Sequence, residues 1–176
     1  LTNGQLKKPG ILKQKLKDKN LETKLYQQNM ANFKIEKQYE LIIIPVSSFF
    51  IINNQQEQIN CLKCCYEHLA EGGRLVLDFV VDSYDRNMKR DGELRFFRKL
   101  EHEDKTILVY VSNRMNTVRQ IEDIIFQYQI YSSDGILEKT LMRCLPWPSV
   151  HPYEFKRMSQ IAGFSKWALR GDYSLK

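Results

Sequence analysis

The longest largely apolar stretch, 41–52, opens with Leu41-Ile42-Ile43-Ile44, ended by Pro45 and followed by Val46, Ser47, Ser48, Phe49 and Phe50. Consecutive bulky residues, mostly β-branched, read as a strand buried on both faces, the form strands take in a parallel sheet. Residues 55–71 then place Ile59, Leu62, Tyr66 and Leu69 on one stripe of an amphipathic helix, and Gly72-Gly73 is expected to stop it. A strand over 74–81 follows. The order strand, helix, strand predicts a parallel crossover unit, whose ligands bind beyond the carboxyl ends of the strands.

On the amino-terminal side, 1–10 lacks periodicity and Pro9-Gly10 marks it as loop, while 11–20 reads as a lysine-rich helix with Ile11, Leu12 and Leu16 inward. Residues 22–28 alternate and predict a strand, with Asn29-Met30-Ala31-Asn32-Phe33 at its carboxyl end. From residue 93 the pattern changes in kind. Strands are predicted over 93–100, 105–115 and 119–133, with no helix between them. Asp134-Gly135 is a hairpin signal leading into 136–145, and Pro146-Trp147-Pro148 closes the series. A helix over 151–162 follows, with Pro152 in its first turn, Phe155, Met158, Ile161 and Ala162 inward, and Gly163 as its C-cap. A last strand is predicted over 164–173.

The composition is that of an ordinary soluble domain, 43% hydrophobic and 27% charged over 176 residues. The net charge of +6 is local: residues 1–37 hold nine Lys against Asp18, Glu22 and Glu36, and the rest balances. A solvated lysine face accounts for that excess, and no basic cluster is interleaved with stacking aromatics, which argues against nucleic acid as a partner. No stretch is long and apolar enough to suggest a membrane span, and no secretion signal is visible, so a cytoplasmic location is expected. Cys61, Cys64 and Cys65 crowd one predicted helix, with Cys144 far along the chain, which reads as reduced thiols in packing roles. A zinc site from Cys61, Cys64, His68 and Cys144 is the alternative, and no metal is expected.

In this order, the Asn29-Met30 step, Tyr39-Glu40-Leu41-Ile42-Ile43-Ile44-Pro45, the segment His68-Leu69-Ala70-Glu71-Gly72-Gly73-Arg74-Leu75, the Ala162-Gly163-Phe164 turn and Gly171-Asp172-Tyr173 resemble a class I S-adenosylmethionine-dependent methyltransferase of the small-molecule type. The resemblance implies an α/β fold: a Rossmann-like methyltransferase sheet, N-terminally incomplete, with an inserted antiparallel β-sheet. It implies a single partial domain over 1–176, with 11–81 and 149–176 as the parallel-sheet core and 93–145 as the sheet covering the substrate. Its cofactor would be S-adenosyl-L-methionine, contacted by Asn29, Met30, Pro45, Val46 and Ser47. A small-molecule acceptor would meet Ser48, Phe49, Arg114, Tyr128 and Tyr153.

Asn29 stands where most members carry aspartate, so the charge-assisted part of that bond is missing. The family's opening strand, glycine-rich turn, helix and acid-ended second strand have no counterpart, and the chain opens with Leu1, so a fragment is expected. In the family the two missing strands lie between those over 22–28 and 40–45, so the strand over 40–45 would keep one bare edge, and a homodimer or strand exchange through that edge is expected. Methyl transfer by in-line displacement needs alignment more than a base. No catalytic residue is assigned, with His151 and Tyr153 the nearest candidates should a proton have to leave. The competing expectations are an inactive methyltransferase-like scaffold or partner-binding module and, more weakly, a dinucleotide enzyme, for which the glycine fingerprint is lacking.

Overall fold

The computed structural model describes residues 8–78 and 91–171. The described elements are α1 (Lys8–Asp18), β1 (Tyr39–Ile44), a short 3-10 helix (Ser48–Ile51), α2 (Gln55–Glu67), β2 (Leu69–Leu77), β3 (Arg95–His102), β4 (Lys105–Asn116), β5 (Ile121–Tyr131), β6 (Leu137–Pro148) and α3 (Pro152–Ile161). β1 and β2 pair in parallel across α2, as the apolar runs predict, with Ile42 opposite Leu75 and Ile44 opposite Leu77. The expected burial on both faces is corrected: Ile42 and Ile44 turn to the core, whereas Leu41, Ile43 and Val76 stand exposed on the other face, because side chains alternate along a strand and the core lies on one side only. The strands β3-β4-β5-β6 form an antiparallel meander in that order. An α/β fold of parallel unit plus antiparallel sheet is thus what the chain adopts.

One core joins these parts. Ile44, Phe49, Phe50, Cys61, Leu62, Cys65, Val150, Met158 and Ala162 bury together, with Trp147 of β6 packed against them. Phe49 meets Phe50 and Phe155 edge-on at 5.8 and 5.7 Å, and Trp147 stacks on Phe50 at 6.0 Å. That stack is where the antiparallel sheet meets the parallel unit. No helix among the described residues is long and apolar enough to cross a membrane.

Several expectations are corrected. The first helix begins at Lys8, because proline and glycine are tolerated in a first turn whose amides have no helical partner in any case. Leu12 is exposed and Leu16 only half-buried, since no described element packs closely on α1, and the Ile11 side chain lies outside what is described. Residues 22–28 form no strand: alternation needs a ladder partner, and none of the described residues pairs with them. The predicted strand over 164–173 is absent through Gly171, again without a pairing partner, and its last two residues lie outside the described part.

The helix α2 stops at Glu67 with His68 as its C-cap, before the glycines. Residues 69–70 already belong to β2, whose register runs from Tyr39 opposite Leu69 to Leu41 opposite Arg74, a bulge that absorbs Gly72 and Gly73. Gly72 has φ 74°, and a Cβ on Gly73 would lie 2.9 Å from the Ala70 carbonyl oxygen and 3.0 Å from that of Tyr39. Those glycines bend a strand instead of ending a helix. The buried stripe of α2 is Gln58, Cys61, Leu62 and Cys65, with Tyr66 exposed, so the thiols take the inward positions expected of the larger residues. Residues 79–81 of the predicted second strand lie outside the described part.

Strands β3 to β6 match the predicted order closely, although Pro146-Trp147-Pro148 extends β6 instead of closing it. The Ser132 carbonyl accepts from the Gly135 amide, and Gly135 takes φ 77°, which the Asp-Gly signal requires. In α3, His151 caps the helix and Pro152 begins it; Met158 and Ala162 are buried, but Ile161 points to solvent. Only one stripe of a surface helix can face the core, and Met158, Ser159 and Ala162 occupy it.

Candidate functional site

The carboxyl end of β1 holds a strained stretch of backbone. Val46 and Ser47 are consecutive non-glycine residues in the left-handed region, at φ 57° and 49°. For a β-branched residue that conformation is an outlier, and such outliers persist only where surrounding structure holds them. Here the holding group is Asp78, the residue after β2, whose Oδ2 accepts from the Ser47 amide at 3.2 Å. Ser48 donates its hydroxyl to the Pro45 carbonyl at 2.6 Å. Pro45 and Val46 face solvent, Val46 with 83% of its surface exposed. The loop therefore presents Pro45 and Val46 to solvent at the end of the parallel unit where such folds place ligands.

Asn29 and Met30 precede a segment that runs along α2. The Ala31 carbonyl lies 3.5 Å from the Cys64 sulfur, the Ile35 amide donates to His68 Nε2 at 3.0 Å, and the Tyr39 amide donates to the His68 carbonyl at 2.8 Å. Met30 packs on the cluster containing Phe49 and Phe50, which ties it to the same core as the β1 loop. The Asn29 side-chain oxygen already accepts from the Ala31 amide at 3.0 Å, closing a local turn that leaves one of its two lone pairs. Beside this segment, a shallow depression of about 230 Å³ is lined by Phe33, Lys34, Lys63 and Cys64 among others.

The acceptor-side residues are not all together. Phe49 is fully buried in the core, so its ring is turned away from any ligand face. Tyr128 and Arg114 are on opposite faces of the antiparallel sheet: Tyr128 pairs with Val109, Arg114 lies five positions further along β4, and side chains alternate. Val109, Val111, Tyr128 and Trp147 share the face that meets the parallel unit, which leaves Arg114 outward with its cross-strand neighbour Asp123. Tyr153 is 67% exposed at the start of α3, stacked on His151 at 5.8 Å, and His151 Nδ1 accepts from the Tyr153 amide at 3.4 Å.

Three features escaped sequence reasoning. Asp78 was visible as the first polar residue after Leu75-Val76-Leu77, the strand-end position that often carries function. A polar chain crosses three strands on the inward face: Arg95 Nη2 donates to Asn113 Oδ1 at 2.7 Å, and Asn113 Nδ2 donates to Glu122 Oε1 at 2.8 Å. Glu122 is only 4% exposed, and the buried Arg95 Nε has no partner among the described residues. Its signal was Asn113 continuing the apolar alternation of Val109 and Val111. The third is His68, bonded through both ring nitrogens.

The thiols are set by packing. Cys61 is pushed well above the ordinary thiol range, first by its contact with the Cys65 sulfur and then by burial; Cys64 is raised by burial and then by Glu67. Among the described residues no cluster of metal-ligating side chains forms; Cys61 and Cys65 are in the core and Cys144 sits on the exposed strand β6.

No family model matches the sequence, and no curated protein matches it. Solved structures do. An S-adenosylmethionine-dependent methyltransferase from Clostridium acetobutylicum superimposes with a TM-score of 0.64 at 15% identity, over 85% of this chain and 57% of that one. The sugar N-methyltransferase from Streptoalloteichus gives 0.66 at 16% identity, over 83% and 56%. An amino pentose methyltransferase from Micromonospora echinaspora gives 0.60 at 15% identity, over 77% and 54%. The chain spans somewhat more than half the length of these proteins. Over that span it shares the fold of these S-adenosylmethionine-dependent methyltransferases.

Proposed function

We propose that the chain is the larger part of an S-adenosylmethionine-dependent methyltransferase acting on a small-molecule acceptor. The observation that carries this is the left-handed Val46-Ser47 backbone, held by Asp78 at the end of β1, within a fold shared with such enzymes. Strain held at a strand end is the mark of a segment shaped for a ligand. S-adenosylmethionine supplies a methyl group on a positively charged sulfur, so the leaving group is activated before it binds. This chain's residues have then to bind, orient and exclude water.

In this reading Asn29 uses its remaining lone pair, and Met30 its backbone, toward the adenine. Exposed Pro45 and Val46, with buried Ser47 behind them, border the reacting end. Ser48, whose hydroxyl proton is committed to Pro45, can accept a hydrogen bond from the acceptor. Tyr128, Asn113 and Glu122 share the inward face of the sheet, Glu122 opposite Trp147, which stacks on Phe50, and Tyr128 six positions further along β5; such a face suits an acceptor with amine or hydroxyl groups. Two of the similar proteins are described as methylating a sugar or an amino pentose, which fits such an acceptor. Arg114 is outward and Phe49 internal, so neither is given a contact. The His151 ring is engaged as a helix cap, and a neutral amine acceptor would need no base.

A second reading, a scaffold without activity, is favoured by the Asn29 oxygen being closed onto the Ala31 amide. Calorimetric titration of the full-length protein with S-adenosylmethionine separates the two. Saturable binding that weakens in Asn29→Ala supports the enzyme, and no heat of binding supports the scaffold.

A further inference from the structure

His68 is a buried histidine whose tautomer is fixed by its partners. Its Nδ1 lies 2.7 Å from the Cys64 carbonyl, which can only accept, so Nδ1 carries the proton. Its Nε2 lies 3.0 Å from the Ile35 amide nitrogen, which can only donate, so Nε2 must be bare. Both bonds are to backbone, and the Phe33 ring rests on the imidazole at 4.7 Å. The neutral ring therefore bridges the end of α2 to the segment that starts with Asn29 and Met30.

We propose that His68 is a positioning residue: as a neutral acceptor it fastens residues 31–35 to α2 and so holds Asn29 and Met30 in place for the nucleotide end of the cofactor. The inference rests on the methyltransferase reading above. Neither ring nitrogen is bonded to a side chain, so the tether is made by His68 and the backbone alone.

The test compares the full-length protein with His68→Gln, whose amide oxygen reaches about as far as Nε2 and can accept, and with His68→Leu, which cannot accept. S-adenosylmethionine affinity is measured by calorimetry, alongside the hydrogen-exchange protection factor of the Ile35 amide. His68→Leu should lose about tenfold in affinity, the worth of roughly one hydrogen bond, together with the protection of the Ile35 amide. His68→Gln should keep both within about twofold of the wild type. Affinity that is equal in wild type and His68→Leu, or lost equally in His68→Gln and His68→Leu, overturns the positioning role while leaving the enzyme reading intact. No binding by the wild type, with its Ile35 amide protected, overturns both.

Discussion

The Ser47 backbone amide donates to Asp78 Oδ2 at 3.2 Å, joining the loop after β1 to the end of β2 across 31 residues of sequence. This bond closes the parallel unit at the end where its strands finish. It also fixes the loop in a left-handed conformation that the sequence does not favour locally. Asp78→Ala should lower stability by about 1–2 kcal/mol, the lower part of the range for hydrogen bonds to charged groups because Asp78 is only partly buried. Asp78→Asn, which keeps an acceptor oxygen, should lose less than half as much. Urea unfolding of the three proteins measures it, and equal losses in both variants would show that the bond contributes little.

The strain at Val46 predicts a gain. Relieving a left-handed β-branched residue returns about 1–3 kcal/mol, while the freer unfolded chain of a glycine costs about 0.5–1 kcal/mol. Val46→Gly should therefore raise the thermal midpoint, by about 1 kcal/mol in stability. The Val46 side chain is almost wholly exposed, so no packing is lost. A lowered midpoint would mean that the conformation is not strained.

Phe49 and Tyr153 separate core from site. Phe49→Ala empties a fully buried position packed on Phe50 and Phe155 and should cost about 3–5 kcal/mol. Tyr153→Ala removes an exposed ring and should change stability by less than about 0.5 kcal/mol. Chemical denaturation of both variants checks the contrast, and a large stability loss in Tyr153→Ala would contradict the placement of its ring.

Tyr128 and Arg114 lie on opposite faces of one sheet, so a single acceptor cannot touch both. Once an acceptor is in hand, Tyr128→Ala should raise its KM about tenfold or more, as expected for one lost hydrogen bond and its apolar contact. Arg114→Ala should leave that KM within about twofold. Steady-state kinetics with the cofactor saturating reads both. The opposite pattern would place the acceptor on the outer face.

Thiol labelling gives a test independent of ligand. Cys144 is exposed and should react first with a maleimide or iodoacetamide. Cys64 is raised by burial and by Glu67, so its thiolate forms only at more alkaline pH than that of an ordinary thiol, and its labelling should rise late in a pH series. Cys61 and Cys65 should label only in denaturant. Peptide mapping by mass spectrometry assigns the sites, and early modification of Cys61 would contradict its burial.

The apolar run 41–44 and the alternation through β4 and β5 were enough to identify a parallel unit joined to an antiparallel sheet, although the run overstated burial, since Leu41 and Ile43 are exposed. Pro152 and Gly163 likewise marked both ends of α3: a proline fits a first helical turn, and Gly163 takes φ 111°. Residues 22–28 and 164–173 show where the pattern fails. Their alternation is real, yet a strand exists only when another strand lies beside it, and that is a property of distant residues.

The site divides in the same way. That ligands should gather at the loop after β1 followed from the order of elements in the sequence. Which residues face that loop did not, since a shift of one position in a strand reverses its side chains. Register put Tyr128 inward and Arg114 outward, and brought Asn113 and Glu122 together. The bulge at Gly72 and Gly73, the Asp78 contact with Ser47 and the His68 contact with Ile35 all join residues about thirty positions apart. Local sequence sets the propensity of each segment, but a hydrogen bond between separated segments is decided only when the core around Phe49, Phe50 and Leu62 brings them into reach.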